Sequence, residues 1–263
     1  CIGFGSGCNG ENSMVRTLLR VLYLSIFLLG LTIFSIPYAQ RIRVQQEMDS
    51  SIQTFQNQET TVSAQTETLP TEETRAYAEL WEEMCAYNEK IHDEQRVSLS
   101  SRAALQKAAF QLRDYGRNDE VFAILNIPKI NLEMPVYLGA TDQNLANGAA
   151  HLSQTSLPIG GENTNCVIAG HRGWNGAYYF RYVPDLRKGD VVTLQNLWET
   201  LSYQVVETKI IAPSDVDAIR IQEGRELLTL LTCHPYASGG KQRFLVICER
   251  VYKEDDYGKT DGG

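Results

Sequence analysis

A chain of 263 residues, 43% of them hydrophobic, is long enough for one or two domains with a substantial core. Its 32 acidic and 24 basic residues give a net charge of −8, and no dense Lys/Arg run supplies the basic face a nucleic-acid partner requires. Six cysteines, none spaced as a CxxC pair, are too sparse for a disulfide scaffold and ill suited to a zinc site, so neither metal nor cofactor is expected.

Residues 1–13, ahead of Met14, read as an upstream extension. Val21 to Ala39, VLYLSIFLLGLTIFSIPYA, is uncharged and would span roughly 28 Å as a helix, close to a bilayer's hydrocarbon core. A cleaved signal peptide fits less well, because the run is long and no small-residue cleavage site follows. Residues 14–44 are therefore expected to be a transmembrane anchor. Arg16 and Arg20 before the run balance Arg41 and Arg43 after it, so charge alone leaves the orientation open.

Residues 45–70, rich in Gln, Thr, Ser and Glu, read as a linker. The segment 71–117 reads as helical. Tyr77, Leu80, Trp81, Met84 and Ile91 approximate one helical stripe, and Leu105, Ala108, Ala109 and Leu112 a second, closed by Gly116. From 118 to 252 the pattern changes to short Val/Ile/Leu/Tyr runs between turn residues: VFAILNI, MPVYL, CVIAG, VVTL, LSYQVVETKIIA, LLTLLTC and RFLVICERV. Strands so closely spaced predict a mainly β domain, an antiparallel or mixed barrel. The tail, 253–263, is polar.

Three of these runs carry chemistry at their ends. In LLTLLTC, alternation places Thr229, Leu231 and Cys233 on one face and Leu228, Leu230 and Thr232 on the other. Arg243 opens the next run, so the chain returns to the same end of the sheet. Arg243 and Cys248 are an odd number of residues apart and point to opposite faces, which makes Cys248 a core residue. NCVIAGHRG also ends at a strand terminus, with His171 between Gly170 and Gly173. A thiol needs a base or cation to raise its thiolate fraction, histidine exchanges protons near neutral pH, and arginine can hold a carbonyl or oxyanion. Cys233, His171 and Arg243 together suit acyl transfer.

TLLTC (Thr229 to Cys233) resembles the Thr-Leu-x-Thr-Cys signature of sortases, the membrane-anchored transpeptidases of Gram-positive surfaces. The resemblance extends from about Glu120 to Tyr252 through IPKI (Ile127 to Ile130), HLSQTSLPIGGEN (His151 to Asn163), AGHRG (Ala169 to Gly173) and the Arg243 strand. It implies an eight-stranded closed β-barrel with short helices, Cys233 as nucleophile, His171 as acid/base and Arg243 as substrate or oxyanion stabiliser. Leu231, Thr232, His234 and Trp174 would line the substrate groove; the backbone N–H of His234 either shapes the loop or joins an oxyanion hole.

The blocks look most like class C, the pilin-polymerising branch. Ala150 stands where a glycine is commoner. No proline lies between Pro70 and Pro128 to form that branch's Asp-Pro-aromatic lid motif, although the helical segment is placed to act as a lid, and no second transmembrane run follows the barrel. The implied partners are proteins with LPXTG-type sorting signals, pilins among them, and an amine from a pilin lysine or a peptidoglycan precursor. Pilus assembly is favoured, with housekeeping wall anchoring as the alternative. The implied location is the cell membrane, single-pass, with the catalytic domain outside. A papain-type protease would carry its cysteine early, at a helix start; a catalytically silent membrane-anchored adaptor would tolerate loss of Cys233. His151 reads as a structural hydrogen-bonding residue, Cys166 and Cys85 as packing residues, and Asp215 and Asp217 as solvated acids.

Overall fold

The alternating runs pair into eight strands that close on themselves. In the computed structural model, which describes residues 8–65, 72–95, 108–117, 120–174 and 176–252, these are β1 (Val121–Ile127), β2 (Leu132–Leu138), β3 (Ala149–His151), β4 (Thr164–Ala169), β5 (Val191–Gln195), β6 (Thr200–Ile211), β7 (Glu226–His234) and β8 (Gln242–Arg250). Around the barrel the order is β1-β2-β3-β4-β7-β8-β6-β5, with β5 pairing back to β1. The β2/β3 and β4/β7 pairs are parallel and the others antiparallel. This is the closed mainly β barrel expected, with one strand the sequence reading missed: β3 has three residues, too few for alternation to register.

The longest apolar runs belong to strands covered on both faces. In β1, Phe122, Leu125 and Ile127 join the interior cluster, while Val121 and Ile124 pack outward with Tyr137 of β2. That outer face is covered by the helix α1 (Cys8–Gln65), which contributes Ile52 and Phe55. The stretch expected to be a linker is thus helical as far as Gln65; residues 66–71 lie outside the described ones. Met48, Ile52 and Phe55, at helical spacing in a polar background, are 4%, 6% and 0% exposed. Burying each such side chain contributes about 1.5–3 kcal/mol, enough to hold the helix on the barrel.

Helix α2 (Glu72–Gln95) seals one end of the barrel. Leu80 and Met84 are fully buried in the interior cluster, and Trp81 meets Trp198 of the β5–β6 turn edge-on, 4.9 Å between ring centroids. Asn88 Oδ1 accepts from the Leu157 N–H at 2.7 Å, and the Tyr87 hydroxyl accepts from the Gln154 N–H at 3.2 Å. These partners lie where β4 and β7 begin and β8 ends. The opposite end, where β4 and β7 finish and β8 starts, carries Cys233. Helix α2 therefore does not cover that site. Of the second expected helix, residues 101–107 lie outside the described ones, and the remainder contains a 3-10 turn, Leu112–Tyr115, closed by Gly116 at φ +83°.

IPKI does not extend a strand. Pro128 lacks an N–H for the ladder, and Pro128–Ile130 form a 3-10 turn ended by Asn131 at φ 48°. A short helix, α3 (Asp142–Asn147), crosses from β2 to β3 with Thr141 as its cap, the hydroxyl accepting from the Asn144 N–H at 3.1 Å. The extension through residue 7 and the tail from 253 lie outside the described residues.

Candidate active site

Strands β7 and β8 and the loop that leaves β4 bring the expected residues to one rim. Cys233 and Arg243 are direct partners across the antiparallel β7–β8 ladder. On the other side of β7, Ala169 of β4 pairs with Leu231 in parallel register, and the Gly170 N–H donates to the Leu231 carbonyl at 3.0 Å. His171 comes two residues after the end of β4, beside the end of β7 that carries Cys233. The Thr232 hydroxyl fixes the junction, donating to the Gly170 carbonyl at 2.8 Å.

The β7–β8 loop closes over the cysteine–arginine pair. Arg243 Nη1 donates to the Gly240 carbonyl at 2.7 Å and to the Gln242 carbonyl at 3.1 Å. A Cβ on Gly240 would lie 2.9 Å from Arg243 Nη1 and 3.3 Å from Cys233 Sγ, at a φ of +76°. Only glycine suits both that backbone and that space. Sulfur and guanidinium flank the same point, and two backbone carbonyls orient the guanidinium toward it.

His171 is held by ring contacts. Its imidazole stacks on Trp174 with centroids 4.8 Å apart and an interplanar angle of 18°, and meets the Tyr179 ring edge-on at 6.0 Å. Among the described residues neither ring nitrogen has a hydrogen-bond partner in the protein. Partial burial lowers its pKa from the ordinary imidazole value, and the charge of Asp142 acts in the opposite direction. The His171 carbonyl accepts from the Phe180 N–H at 2.9 Å. Gly170 faces the Phe180 ring so closely that a Cβ would meet Cγ and Cδ2 at 2.7 Å.

The remaining expected groove residues divide. Trp174 is 47% exposed beside His171. Leu231 is half-buried on the outer face against Val167, Ile219 and Leu245. Thr232 faces the other way. It is 1% exposed, its hydroxyl is engaged by Gly170, and it cannot reach a substrate on the Cys233 face. His234 is half-buried, with Nδ1 2.7 Å from Arg172 Nη1 and its ring tilted against Phe244.

The sequence reading passed over Arg172, which also reaches the Cys233 carbonyl from Nη1 at 3.4 Å. Its position directly after His171 in AGHRG was the available signal. Elsewhere, His151 is fully buried, with Nε2 3.0 Å from the Ser156 carbonyl and 3.3 Å from that of Thr155; burial lowers its pKa to about 4. Cys166 and Cys248 are buried, and desolvation pushes both thiols upward. Burial also raises the half-buried Cys85. Asp217 is engaged by Arg220 at 2.6 Å.

The family profile described as sortase domain matches residues 125–251. Sortase D of Bacillus subtilis is 32% identical over 154 residues, which are 58% of this chain and 73% of that protein. The chain belongs to the sortase family. Sortases are cysteine transpeptidases, and this chain is an enzyme of that kind, from a family that acts on proteins bearing sorting signals. Among solved structures, sortase C1 of Streptococcus agalactiae superposes with a TM-score of 0.62 at 30% identity, covering 73% of this chain and 95% of its own. Sortase C-1 of Streptococcus pneumoniae gives 0.57 at 32%, covering 65% and 90%. A structure described as sortase C1 of a pilus island gives 0.64 at 29%, covering 78% and 98%. Class C pilin sortases are thus among this sortase's structural neighbours.

Proposed function

We propose that this sortase joins a surface protein to an amine in two steps at Cys233. The Cys233 thiolate attacks the threonine carbonyl of an LPXTG-like signal. The Thr–Gly C–N bond breaks, His171 as imidazolium gives its proton to the leaving amine, and a thioacyl enzyme remains. An incoming amine then attacks the thioester carbonyl and gives a proton to the neutral imidazole. The C–S bond breaks, which releases the thiolate and leaves a new amide. Arg243, aimed by the Gly240 and Gln242 carbonyls, stabilises the oxyanion in both steps.

The observation that carries this reading is the shared height of Cys233 and Arg243 on the β7–β8 ladder, with His171 in the loop that leaves the neighbouring end of β4. Trp174, Leu231 and His234 are proposed to border the groove. The class C neighbours favour pilin substrates and a pilin lysine as acceptor, with wall anchoring to a peptidoglycan amine as the second reading. Helix α1 is proposed to anchor the enzyme with its amino terminus inside and its barrel outside; its uncharged run is long and apolar enough to span a bilayer.

The test uses the full chain in detergent with an LPXTG peptide and a lysine-bearing pilin peptide. A new amide, lost in Cys233→Ala and trapped as a hydroxamate when hydroxylamine replaces the amine, supports the mechanism. Hydrolysis that ignores added amine points to a protease. No turnover of any sorting peptide, with Cys233→Ala indistinguishable, points to the adaptor. Preference for the pilin lysine over a cross-bridge amine separates polymerase from wall-anchoring enzyme.

A further inference from the structure

The loop that follows His171 touches the apolar helix itself. Gly176 lies so close to α1 that a Cβ there would sit 2.6 Å from the Pro37 carbonyl oxygen. Pro37 belongs to the last turn of the uncharged run ending at Ala39. One turn further along, Arg41 Nη1 donates to the Tyr178 hydroxyl at 2.7 Å, its guanidinium 3.9 Å above the Tyr178 ring.

Large aromatic side chains stand exposed around this contact. Trp174, Tyr178, Tyr182 and Tyr236 are 47%, 38%, 39% and 49% exposed. Tyr178 and Tyr182 meet edge-on at 5.2 Å, and Arg181 lies 4.3 Å above the Tyr236 ring. Tryptophan and tyrosine, each an apolar ring with one polar group, are the residues favoured where a bilayer meets water, and arginine extends past them to phosphate. Helix α1 also sets the orientation. It leaves the apolar run beside this rim and passes down the outside of the barrel to Phe55, which packs with Val121 and Leu197 toward the end sealed by α2.

We propose that the catalytic rim sits in the headgroup layer of the bilayer that α1 crosses, with Trp174, Tyr178, Tyr182 and Tyr236 as an aromatic girdle and Arg41 and Arg181 directed to lipid phosphates. This rests on the reading of α1 as an anchor. The occupant is lipid, because the girdle is continuous with the apolar run and its last turn touches the loop. His171 is then one ring stack, through Trp174, from the membrane surface.

The arrangement of tryptophans provides the test. Trp174 is at the rim, whereas Trp81 and Trp198 pack together at the other end, roughly 30 Å away across the length of a tilted β6. The full chain is reconstituted into phosphatidylcholine–phosphatidylglycerol vesicles carrying a nitroxide on the headgroup. The difference in emission between the native chain and Trp174→Phe isolates Trp174 without disturbing the edge-on Trp81–Trp198 pair. That difference is expected to lose most of its intensity relative to unlabelled vesicles, while Trp174→Phe keeps its own. Unchanged difference emission, or equal quenching of the remote pair, overturns the inference. Flotation separates the two readings: a chain that does not float with the vesicles overturns the anchor and this inference together. A chain that floats without Trp174 quenching overturns this inference alone.

Discussion

Cys233 and Arg243 are cross-strand partners, so their side chains leave β7 and β8 on the same face and at the same height. Two backbone carbonyls both accept from Nη1, so the rest of the planar fork is left to face an oxyanion, whereas a lysine held by the same carbonyls has no second nitrogen to offer. Arg243→Lys is therefore expected to lower kcat for peptide–amine transfer by about 10²–10³-fold, the usual cost of losing an oxyanion donor. Alkylation of Cys233, followed by peptide mapping, should proceed at a near-native rate. A kcat close to native removes Arg243 from the mechanism.

Gly170→Ala drives a methyl group into the Phe180 ring, and Phe180 in turn holds the His171 carbonyl. Overpacking of this kind costs about 1–3 kcal/mol. The expected result is a lower urea midpoint together with a loss in kcat/KM, both partly restored by adding Phe180→Leu. A native midpoint and native rate show that the contact relaxes freely.

The Asp142 charge favours the imidazolium form of His171, against the effect of burial. Asp142→Asn therefore moves the His171 titration to lower pH, and with it the limb of the kcat/KM profile that reports the acid. NMR titration of the His171 ring in both proteins checks the direction. A shift upward, or none, removes Asp142 from the electrostatics of the site.

His151 is buried neutral, with a pKa near 4 against an ordinary value of 6.5. Between those values the unfolded chain binds a proton that the folded one refuses. The stability contribution is complete above pH 6.5 and is lost as pH falls toward 4, about 3 kcal/mol in all. His151→Gln should flatten this part of the stability–pH curve, measured by denaturant unfolding of the full chain at several pH values. Parallel curves for the two proteins show that other groups carry the dependence.

Much of the barrel was legible because its strands alternate or are buried on both faces, and turn residues separate them. Cys233 and Arg243 were placed at one end of a sheet by counting residues alone. The same count set Thr232 on the face of Leu228 and Leu230, opposite Cys233, and that face proves to be the buried one, so the structure follows the alternation there and not the groove role expected of Thr232. Residues 45–65 concealed a helix because only three of its described apolar side chains, Met48, Ile52 and Phe55, are buried, in a polar background. Their spacing was visible, but the surface they cover on β1 and β2 was not. Arg172 was missed for a different reason: its partners, the Cys233 carbonyl and His234, are some sixty residues away in the chain, and only the fold brings them close.

One helix runs unbroken from the uncharged stretch past Pro37 and Arg41 at the rim to Met48, Ile52 and Phe55 on the barrel's flank, so both sets of contacts are threaded on a single screw. Each residue added or removed between them turns one set about 100° against the other. Substitutions on the outward side of this stalk are free to drift, but its length is keyed to the azimuth of the enzyme's mouth.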